Sequence, residues 1–339
     1  MATQRILGIA EPLDFSPEQS RELESIASEY GLVLRLAATA TAGDDGPISR
    51  DAWIEFVSGC DYVISGKQGL SARDATGAAG TEGIYSAPPG IVISHPFVNV
   101  AWVDGGRLAD GGITLLYAPG CNRDAVAEWV LGCSISLFRE MRASSNKRDV
   151  EPRLTRSRSL AGRTAAVLGR GAVGSRVGEV LGAMKMNVRY LERGGASLAD
   201  VVRGADLVVN CLSSKVENCD VLDADFFASH MEEGSVFVSM TNPAIYSIDG
   251  LLEALFSGRV RGAAIDVGNT FPGDTRHASY RKFTDFLDMH PRFEDVLLVT
   301  PQVAHFSDAS QRTSFDVAIE NVRLAAGGLL DGIFDRVWR

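Results

Sequence analysis

A glycine-rich segment at residues 167–174, Val-Leu-Gly-Arg-Gly-Ala-Val-Gly, constrains the fold of this chain more than any other feature. An apolar run at 165–168 predicts a short buried strand before it, and the residues after Gly174 have the apolar spacing of a helix. A second apolar run at 188–191 ends at Glu192. This order of strand, turn, helix and strand is typical of the βαβ unit that binds a dinucleotide. The alternative is that the glycines form only a turn, and the register of the whole pattern favours the dinucleotide.

Each glycine has a separate physical role in such a unit. Gly169 forms the tight turn, Gly171 allows the backbone to approach the phosphates, and Gly174 allows close packing of helix and strand. The start of the helix offers unpaired N–H groups and the positive end of its dipole to the anion. Glu192 favours NAD over NADP because its carboxylate repels a ribose phosphate, although Arg193 beside it weakens that preference. The predicted cofactor-binding residues are Gly169, Arg170, Gly171, Ala172, Val173, Gly174, Glu192, Cys211 and Asp266.

The composition bounds the class of protein. A chain of 339 residues is long for one hydrophobic core and predicts two domains. A net charge of −10 argues against nucleic acid or an anionic membrane as the main partner. The first residues lack the apolar run of a signal peptide, and no run of about 18 apolar residues predicts a membrane span. The five cysteines form no CxxC pair, which favours a reduced, cytoplasmic protein over a disulfide set or a metal site.

Strand-like and helix-like segments alternate along the whole chain, which predicts an α/β fold with parallel sheets. The strand-like segments are 5–10, 32–36, 62–65, 91–94, 165–168, 188–191, 207–211, 236–240, 262–267 and 296–299. The helical segments are 17–30, with Ser16 as the N-cap, 122–141, 251–257 and 308–326. The arginine-rich stretch at 142–159 is expected to be a solvated crossover between domains, with phosphate binding as the alternative.

The order and spacing of these segments resembles the D-isomer-specific 2-hydroxyacid dehydrogenase family. Residues 118–128, which begin Ala-Pro-Gly, are similar to the family's interdomain helix, and residues 160–164 lead into the glycine segment as they do there. Residues 262–267 are similar to the strand whose Asp, here Asp266, holds the nicotinamide amide in the family. The resemblance covers nearly the whole chain and is strongest from Ala118 onward.

The resemblance implies an α/β fold of two doubly wound parallel-sheet domains, Rossmann-like or flavodoxin-like, with a cleft between them. Residues 1–118 and 303–339 are expected to form the substrate domain, and residues 119–302 the NAD-binding domain. NAD is the expected cofactor and a small molecule the expected substrate. The helical region 122–141 is expected to join two copies of the chain in a homodimer.

The sequence departs from the family at three catalytic positions. The family uses an Arg that binds the substrate carboxylate, a His that is the general acid/base, and a Glu that pairs with that His. Here Asn242, Gln302 and Phe271 occupy the corresponding positions. A side-chain amide neither clamps a carboxylate as a guanidinium does nor transfers a proton at neutral pH. Because general acid/base catalysis contributes about 10²- to 10⁴-fold, the family's usual reduction of a simple keto acid is expected to be crippled.

The loop predicted to hold the substrate differs as well. The family has a glycine-rich turn there, whereas this chain has Phe97 and Asn99 in place of glycines and Pro96 without an N–H group. These side chains occupy space that the family leaves for the substrate. The loop therefore predicts a different ligand, or none.

Two histidines and one lysine are candidates for the missing chemistry. His305 is the first candidate for a relocated acid/base, with Gln302 orienting the substrate, and a structural histidine is the alternative. His95, on the substrate loop, is the second. Lys67 would replace the lost positive charge, unless it is an ordinary solvated lysine. Residues 274–295, a segment longer than the family usually carries there, are interpreted as a lid or an interface.

Three functions are compatible with this pattern. The first is an NAD-dependent oxidoreductase that acts on an atypical small acid or carbonyl compound. The second is a non-redox lyase or isomerase that uses bound NAD, and the third is an NAD-binding sensor or scaffold without catalysis. The retention of Asp266 on the nicotinamide side favours the oxidoreductase.

Overall fold

The structure is a computed structural model that describes residues 4–11, 13–37, 50–66, 70, 81–98, 100, 103–145, 157–213, 216–268, 275–332 and 334–338. The chain forms two compact units. The first unit comprises Met1–Cys121 and Asp308–Arg339, and the second comprises Asn122–Ser307. The unit boundaries thus follow Cys121 and Ser307, where the sequence predicted 118 and 302, and His305 falls in the second unit.

Strands and helices alternate through the described residues. The strands are β1 (Arg5–Ile9), β2 (Leu32–Leu36), β3 (Tyr62–Ile64), β4 (Val92–Ser94), β5 (Thr114–Leu116), β6 (Thr164–Leu168), β7 (Asn187–Leu191), β8 (Leu207–Asn210), β9 (Ser235–Ser239), β10 (Val260–Asp266), β11 (Leu297–Thr300) and β12 (Val337–Trp338). The helices are α1 (Pro17–Tyr30), α2 (Arg50–Val57), α3 (Gly105–Asp110), α4 (Arg123–Phe138), α5 (Met141–Ser145), α6 (Ala172–Ala183), α7 (Leu198–Val202), α8 (Ile248–Ser257), α9 (Ala278–Met289) and α10 (Asp308–Ala326).

The sheet of the first unit has the strand order β12-β5-β4-β3-β1-β2. All its pairs are parallel except the pair of β12 with β5, which is antiparallel. Helix α1 begins as the sequence predicts, because the Ser16 hydroxyl accepts from the Gln19 N–H in a capping box. The helix ends at Gly31, which has a φ of +64°, a left-handed conformation that favours glycine.

Chain segments distant in sequence complete this first unit. The buried Asn321 amide of α10 donates to the Tyr117 carbonyl at 3.3 Å and accepts from the Arg336 guanidinium at 3.2 Å. The Trp338 indole N–H donates to the Val103 carbonyl at 2.7 Å. The last helix and last strand are therefore fastened to the end of the sheet by polar contacts as well as by apolar packing.

The sheet of the second unit is parallel throughout, with the order β11-β10-β9-β8-β6-β7. Its central strands β8 and β9 are buried along their whole length, which explains why they read as continuous apolar runs rather than as alternating patterns. Helices α4 and α6 pack against each other through Val126, Val130 and Val177 on one face of this sheet. The predicted fold class, two doubly wound parallel-sheet domains, is confirmed.

Each sheet has one point where its strand order reverses. In the first sheet the point lies between β1 and β3, and in the second between β6 and β8. Ligands of open α/β sheets bind outside the carboxyl ends of the strands at such a switch point. A ligand is therefore expected near the residues that follow β1 and β3 in the first sheet, or β6 and β8 in the second.

Two helical segments differ from the sequence interpretation. The helix expected at 122–141 ends at Phe138, and Glu140 has a φ of +49° before the short helix α5 begins. The segment interpreted as a lid or an interface contains helix α9. The His277 ring accepts from the Ser279 N–H at 3.3 Å and so caps α9.

Candidate functional site

The glycine turn at the second switch point has the backbone that a pyrophosphate requires. Gly169 has a φ of +100°, and a Cβ on it would lie 2.8 Å from the Cys211 carbonyl oxygen. A Cβ on Gly174 would lie 1.9 Å from the Gly169 carbonyl oxygen, so this glycine lets the first turn of α6 close onto the loop itself. A Cβ on Gly171 would meet nothing within 4 Å. The loop is therefore closed on its inner side and open at Gly171, which fits the close approach of a phosphate.

An ion pair lies at the end of β7, where the adenosine ribose is expected. The Arg170 guanidinium lies 3.3 Å from the Glu192 carboxylate and 4.7 Å from the centre of the Tyr190 ring. The Arg193 guanidinium lies 2.5 Å from the Glu217 carboxylate and forms an ion pair with it. The Glu217 carboxylate thus offsets the positive charge that weakened the NAD preference. The sequence analysis did not predict either ion pair, because the spacing of these residues along the chain does not indicate that they pair.

Cys211 contributes packing rather than chemistry to the glycine turn. Burial raises the pKa of its thiol to about 12, so the side chain stays neutral near pH 7. The Cys211 Cβ lies 3.4 Å from the position that a Cβ on Gly174 would take. The Cys211 carbonyl oxygen lies 2.8 Å from the position that a Cβ on Gly169 would take. Cys211 therefore packs against the glycine turn of the predicted cofactor site.

Asp266 fixes the turn that follows β11. Its carboxylate accepts from the Thr300 hydroxyl at 2.5 Å, the Val303 N–H at 2.8 Å and the Ala304 N–H at 2.9 Å. The residue is 3% exposed, and charge-assisted hydrogen bonds of this kind are strong in a buried setting. Asp266 thus shapes the segment on which Gln302 and His305 lie, a role that the family resemblance did not indicate.

Gln302 combines two unusual features on that turn. Its φ of +54° is a left-handed conformation that costs a non-glycine residue about 1–3 kcal/mol and is concentrated at functional sites. Its Oε1 is buried without a hydrogen-bond partner among the described residues. A buried acceptor without a donor is costly, so a donor supplied by a ligand is the simplest way to satisfy it.

His305 is partly buried on the same turn. Burial lowers the pKa of its imidazole, and the nearby negative charge of Asp266 opposes that shift without cancelling it. The ring makes an edge contact with Phe306, at 5.2 Å between centres, and Phe306 itself is 56% exposed. His305 is therefore neutral at pH 7 and can exchange a hydrogen bond or accept a proton.

Asn242 has a local structural role. Its amide oxygen accepts from the Ala244 N–H at 2.9 Å and caps the short turn Pro243–Ile245. The oxygen is thus engaged, and the amide NH₂ is the group it can offer to a ligand. Phe271, at the third position where the sequence departs from the family pattern, lies outside the described residues.

A buried polar network at the ends of β8 and β9 was not predicted. The Asn210 amide donates to the Ser239 hydroxyl at 3.2 Å and to the Thr241 hydroxyl at 2.8 Å. Its oxygen accepts from the Leu212 N–H at 3.2 Å. The network holds together the strand ends between the glycine turn and Asn242. A polar residue inside a run such as Leu-Val-Val-Asn is the signal that could have revealed it.

His95 lies at the carboxyl edge of the first sheet and is 2% exposed. Its Nδ1 lies 2.9 Å from the Ser65 carbonyl oxygen, which can only accept, so Nδ1 carries a proton. The Ser65 hydroxyl donates to the Glu11 carboxylate at 3.1 Å, and Glu11 is 8% exposed. Phe97 makes an edge contact with the His95 ring at 5.5 Å between centres. The structure thus joins His95 to Glu11, which the sequence analysis missed, whereas Lys67 and Asn99 lie outside the described residues.

Among the described residues, no helix is long and apolar enough to cross a membrane. No three of their His, Cys, Asp or Glu side chains are grouped so that they could hold a metal ion.

Comparison with known proteins agrees with this geometry. Residues 131–287 match the family model described as D-isomer specific 2-hydroxyacid dehydrogenase, NAD binding domain. Among relatives, D-3-phosphoglycerate dehydrogenase of Haemophilus influenzae is 24% identical over 73% of this chain and 62% of its own length. Glyoxylate/hydroxypyruvate reductase A of Serratia proteamaculans is 28% identical over 51% of this chain and 54% of its own length. The chain therefore spans a little over half the length of these curated relatives.

A solved structure extends the comparison to the fold. The NAD complex of a D-isomer specific 2-hydroxyacid dehydrogenase from Lactobacillus delbrueckii ssp. bulgaricus superposes with a TM-score of 0.74 at 16% identity, covering 99% of this chain and 100% of that one. The fold and the glycine turn define a dinucleotide-binding protein with two doubly wound α/β units. Residues 131–287 are thus similar to the NAD binding domain of the D-isomer specific 2-hydroxyacid dehydrogenase family. The prediction of NAD as cofactor is confirmed by the description of the matched domain.

Proposed function

We propose that the chain is an NAD-dependent oxidoreductase that interconverts a small 2-hydroxy acid, or a related alcohol, and its carbonyl form without the family's usual catalytic side chains. The observation that carries the proposal is the turn held by Asp266. This buried carboxylate fixes a strained Gln302 and a neutral His305 in the same unit as an intact glycine turn. A protein that binds NAD without catalysis would not need a strained Gln302 and a neutral His305 held on one turn.

The side chains divide the work by their chemistry. NAD, when bound, supplies the hydride acceptor in the oxidising direction. The neutral His305 imidazole is proposed to accept the proton of the substrate hydroxyl. Gln302 Oε1 accepts, and Asn242 NH₂ donates, a hydrogen bond to a polar group of the substrate. Lys67, His95, Phe97 and Asn99 remain the predicted substrate-binding residues.

The test separates binding from turnover. Calorimetry measures NADH and NADPH binding, and the gain of NADH absorbance is then followed with NAD and a panel of 2-hydroxy acids and alcohols. We expect NADH formation that His305→Asn slows by about 10²- to 10⁴-fold without changing NADH affinity. His277→Asn is the matched control, because Asn also caps a helix well. Binding of NADH without turnover of any compound would exclude the oxidoreductase.

A second candidate is an NAD-binding sensor or scaffold. It is favoured by the loss of the family's Arg and His and by the engagement of the Asn242 oxygen in a helix cap. In the experiment above, this candidate predicts tight NADH binding, no turnover and no effect of His305→Asn.

We also propose that two copies associate through the region of α4. From Trp129 to Phe138 this helix carries no charged side chain, and Trp129, Leu131 and Ile135 are only partly buried. Sedimentation equilibrium of the full chain tests this, with a dimer expected. A dimer that persists unchanged after Trp129→Glu would place the interface elsewhere.

A further inference from the structure

The polar network at the carboxyl ends of β8 and β9, formed by Asn210, Ser239 and Thr241, is called the Asn210 network below. Asn210 and Ser239 are 0% exposed and Thr241 is 8% exposed, so Thr241 is the member that reaches the surface. The Asn210 oxygen accepts from the Leu212 N–H, which can only donate, and this contact fixes the orientation of the amide. The Asn210 NH₂ group therefore donates to both hydroxyls, at 3.2 Å to Ser239 and at 2.8 Å to Thr241.

The number of donors and acceptors fixes the direction of the hydrogen bond between the two hydroxyls. A hydroxyl has two acceptor lone pairs and one O–H donor. The Ser239 oxygen accepts from the Asn210 amide and, at 3.5 Å, from the Thr241 backbone N–H. Because both of its acceptor positions are used, Ser239 donates its proton to the Thr241 oxygen, which lies 3.3 Å away.

The same count makes the Thr241 hydroxyl a donor. Its oxygen accepts from the Asn210 amide and from the Ser239 hydroxyl, so its own O–H has to donate to a further group. Within the part of the chain that the structure describes, no acceptor receives this proton. An unpaired donor on a residue that is more than nine-tenths buried is costly, and an acceptor atom of a ligand would remove that cost.

The backbone holds Thr241 in place. A Cβ on Gly268 would lie 3.0 Å from the carbonyl carbon and oxygen of Thr241 and 3.2 Å from the Asn242 nitrogen, so glycine lets the segment after β10 pack directly on this peptide. The Thr241 hydroxyl thus has a fixed position at the carboxyl end of β9, and Asn242, with its NH₂ donor, is the next residue. Donors that are fixed before the ligand arrives need no rearrangement when it binds.

The charge of these donors indicates which oxygen they bind. The Thr241 hydroxyl and the Asn242 amide are both uncharged. An ionised carboxylate that leaves water for uncharged donors retains a large desolvation penalty, whereas a neutral carbonyl oxygen loses much less. The chemistry of the donors therefore favours a carbonyl oxygen over a carboxylate.

We infer that the Thr241 hydroxyl donates a hydrogen bond to the carbonyl oxygen of the substrate, beside the Asn242 amide. This role rests on the proposed function, since it adds a catalytic residue to that reaction. Negative charge develops on this oxygen during hydride transfer, so a fixed donor stabilises the transition state. Asn210 and Ser239 are positioning residues, because their hydrogen bonds occupy the Thr241 oxygen and direct its proton outward.

Oxamate is the probe for this donor. It is a 2-oxo acid in which an amide replaces the reducible ketone, so it binds without turnover. The full chain, saturated with NADH, is titrated calorimetrically with oxamate and with propionate, which has the carboxylate but no oxygen on its second carbon. We expect Thr241→Val, which keeps the shape of the side chain, to weaken oxamate binding by about tenfold and propionate binding by less than about twofold, with unchanged NADH affinity.

Three further variants separate the hydroxyl from its surroundings. Thr241→Ser retains the donor and should bind oxamate within about twofold of the unmodified chain. Ser239→Ala leaves the Thr241 proton in place, so it should weaken oxamate binding by less than about threefold. Thr284→Val, which removes a hydroxyl that donates to the Arg281 carbonyl in α9, is the matched control and should have no effect. Thermal unfolding verifies that each variant is folded, and Thr241→Ala takes the place of a valine variant that does not fold.

The outcomes distinguish this donor from the proposed function. Unchanged oxamate affinity in folded Thr241→Val overturns the role of the hydroxyl, and so does a loss of equal size in Thr241→Ser or the absence of oxamate binding to the unmodified chain. Equal losses for oxamate and propionate overturn the assignment to the carbonyl oxygen. Failure to reduce NAD with any alcohol, while oxamate binding still depends on Thr241, contradicts the proposed function and leaves this donor standing.

Discussion

The two sheets of this molecule have the same strand order around their switch points but opposite chemistry there. In the second unit, the strand ends carry a glycine turn and a helix start, which present N–H donors to an anion. In the first unit, the strand ends carry Glu11 and His95, which present a carboxylate and an imidazole. Topology alone therefore places a site but does not choose its ligand.

The difference lies in how each unit uses its small residues. Gly169 and Gly174 remove side chains so that the backbone itself becomes the binding surface. Gly66 removes a side chain so that the carboxylate of Glu11 can occupy the position instead. The same residue type thus opens one switch point to a phosphate and makes room at the other for the carboxyl group of Glu11. Four predictions test this contrast, in order of decreasing effect.

Gly174→Ala should destroy the second switch point and spare the first. The new Cβ would lie 1.9 Å from the Gly169 carbonyl oxygen, so the turn must open, at a cost of about 3 kcal/mol or more. Calorimetry should show no NADH binding, while the NMR signal of His95 stays in place. Gly182→Ala in the same helix is the control, because its Cβ meets nothing within 4 Å. Retention of NADH affinity in a folded Gly174→Ala protein would show that the turn does not hold the pyrophosphate.

Asp266→Ala should release the turn after β11. It leaves the Val303 and Ala304 N–H groups without their acceptor, which we expect to cost about 2–3 kcal/mol locally. Hydrogen exchange at these two amides should accelerate by about 30-fold or more, whereas Asp285→Ala, an exposed change in α9, should not affect them. If the two amides remain protected, another contact fixes Gln302 and His305.

The titration of His305 should distinguish it from an exposed histidine. Its pKa in the folded protein is lowered from 6.5 by burial, so the folded state binds fewer protons than the unfolded state near that pH. Its contribution to the free energy of unfolding is therefore present above about pH 6.5 and is lost as the pH falls through the folded pKa. NMR titration should give a pKa below 6.5, and Asp266→Asn should lower it further by removing the negative charge. A pKa above 6.5 would mean that Asp266 outweighs burial.

Glu217→Gln should have the smallest effect, on the choice of cofactor. Without this partner, the full charge of Arg193 becomes available to a ribose phosphate, and the affinity for NADPH should rise about twofold. The change is small because the two side chains are 83% and 58% exposed. Calorimetry with NADPH and NADH measures it, with the exposed Glu233→Gln as control. A larger gain for NADH than for NADPH would contradict this role.

The features of the fold that local sequence patterns determine could be predicted from the sequence. The glycine turn, its flanking strands and the Ser16 cap depend on neighbours a few residues away, and each was predicted correctly. Asn242 before Pro243 carries a recognisable N-cap signal that was instead interpreted only as a lost arginine. Glu11 could not be predicted, because the residue that holds it, Ser65, is 54 positions away. The same holds for Asp266, whose partners come from another strand end.

One consequence concerns the order in which the chain leaves the ribosome. The second unit is continuous in sequence, whereas the first needs α10 and the antiparallel strand β12 from beyond it. Domains fold as units during synthesis, so the second unit can fold while the first still lacks its outer strand. The nascent first sheet meanwhile exposes the edge of β5, which is open to wrong pairing until Val337 and Trp338 arrive. Cofactor binding thus becomes possible before the first unit is complete.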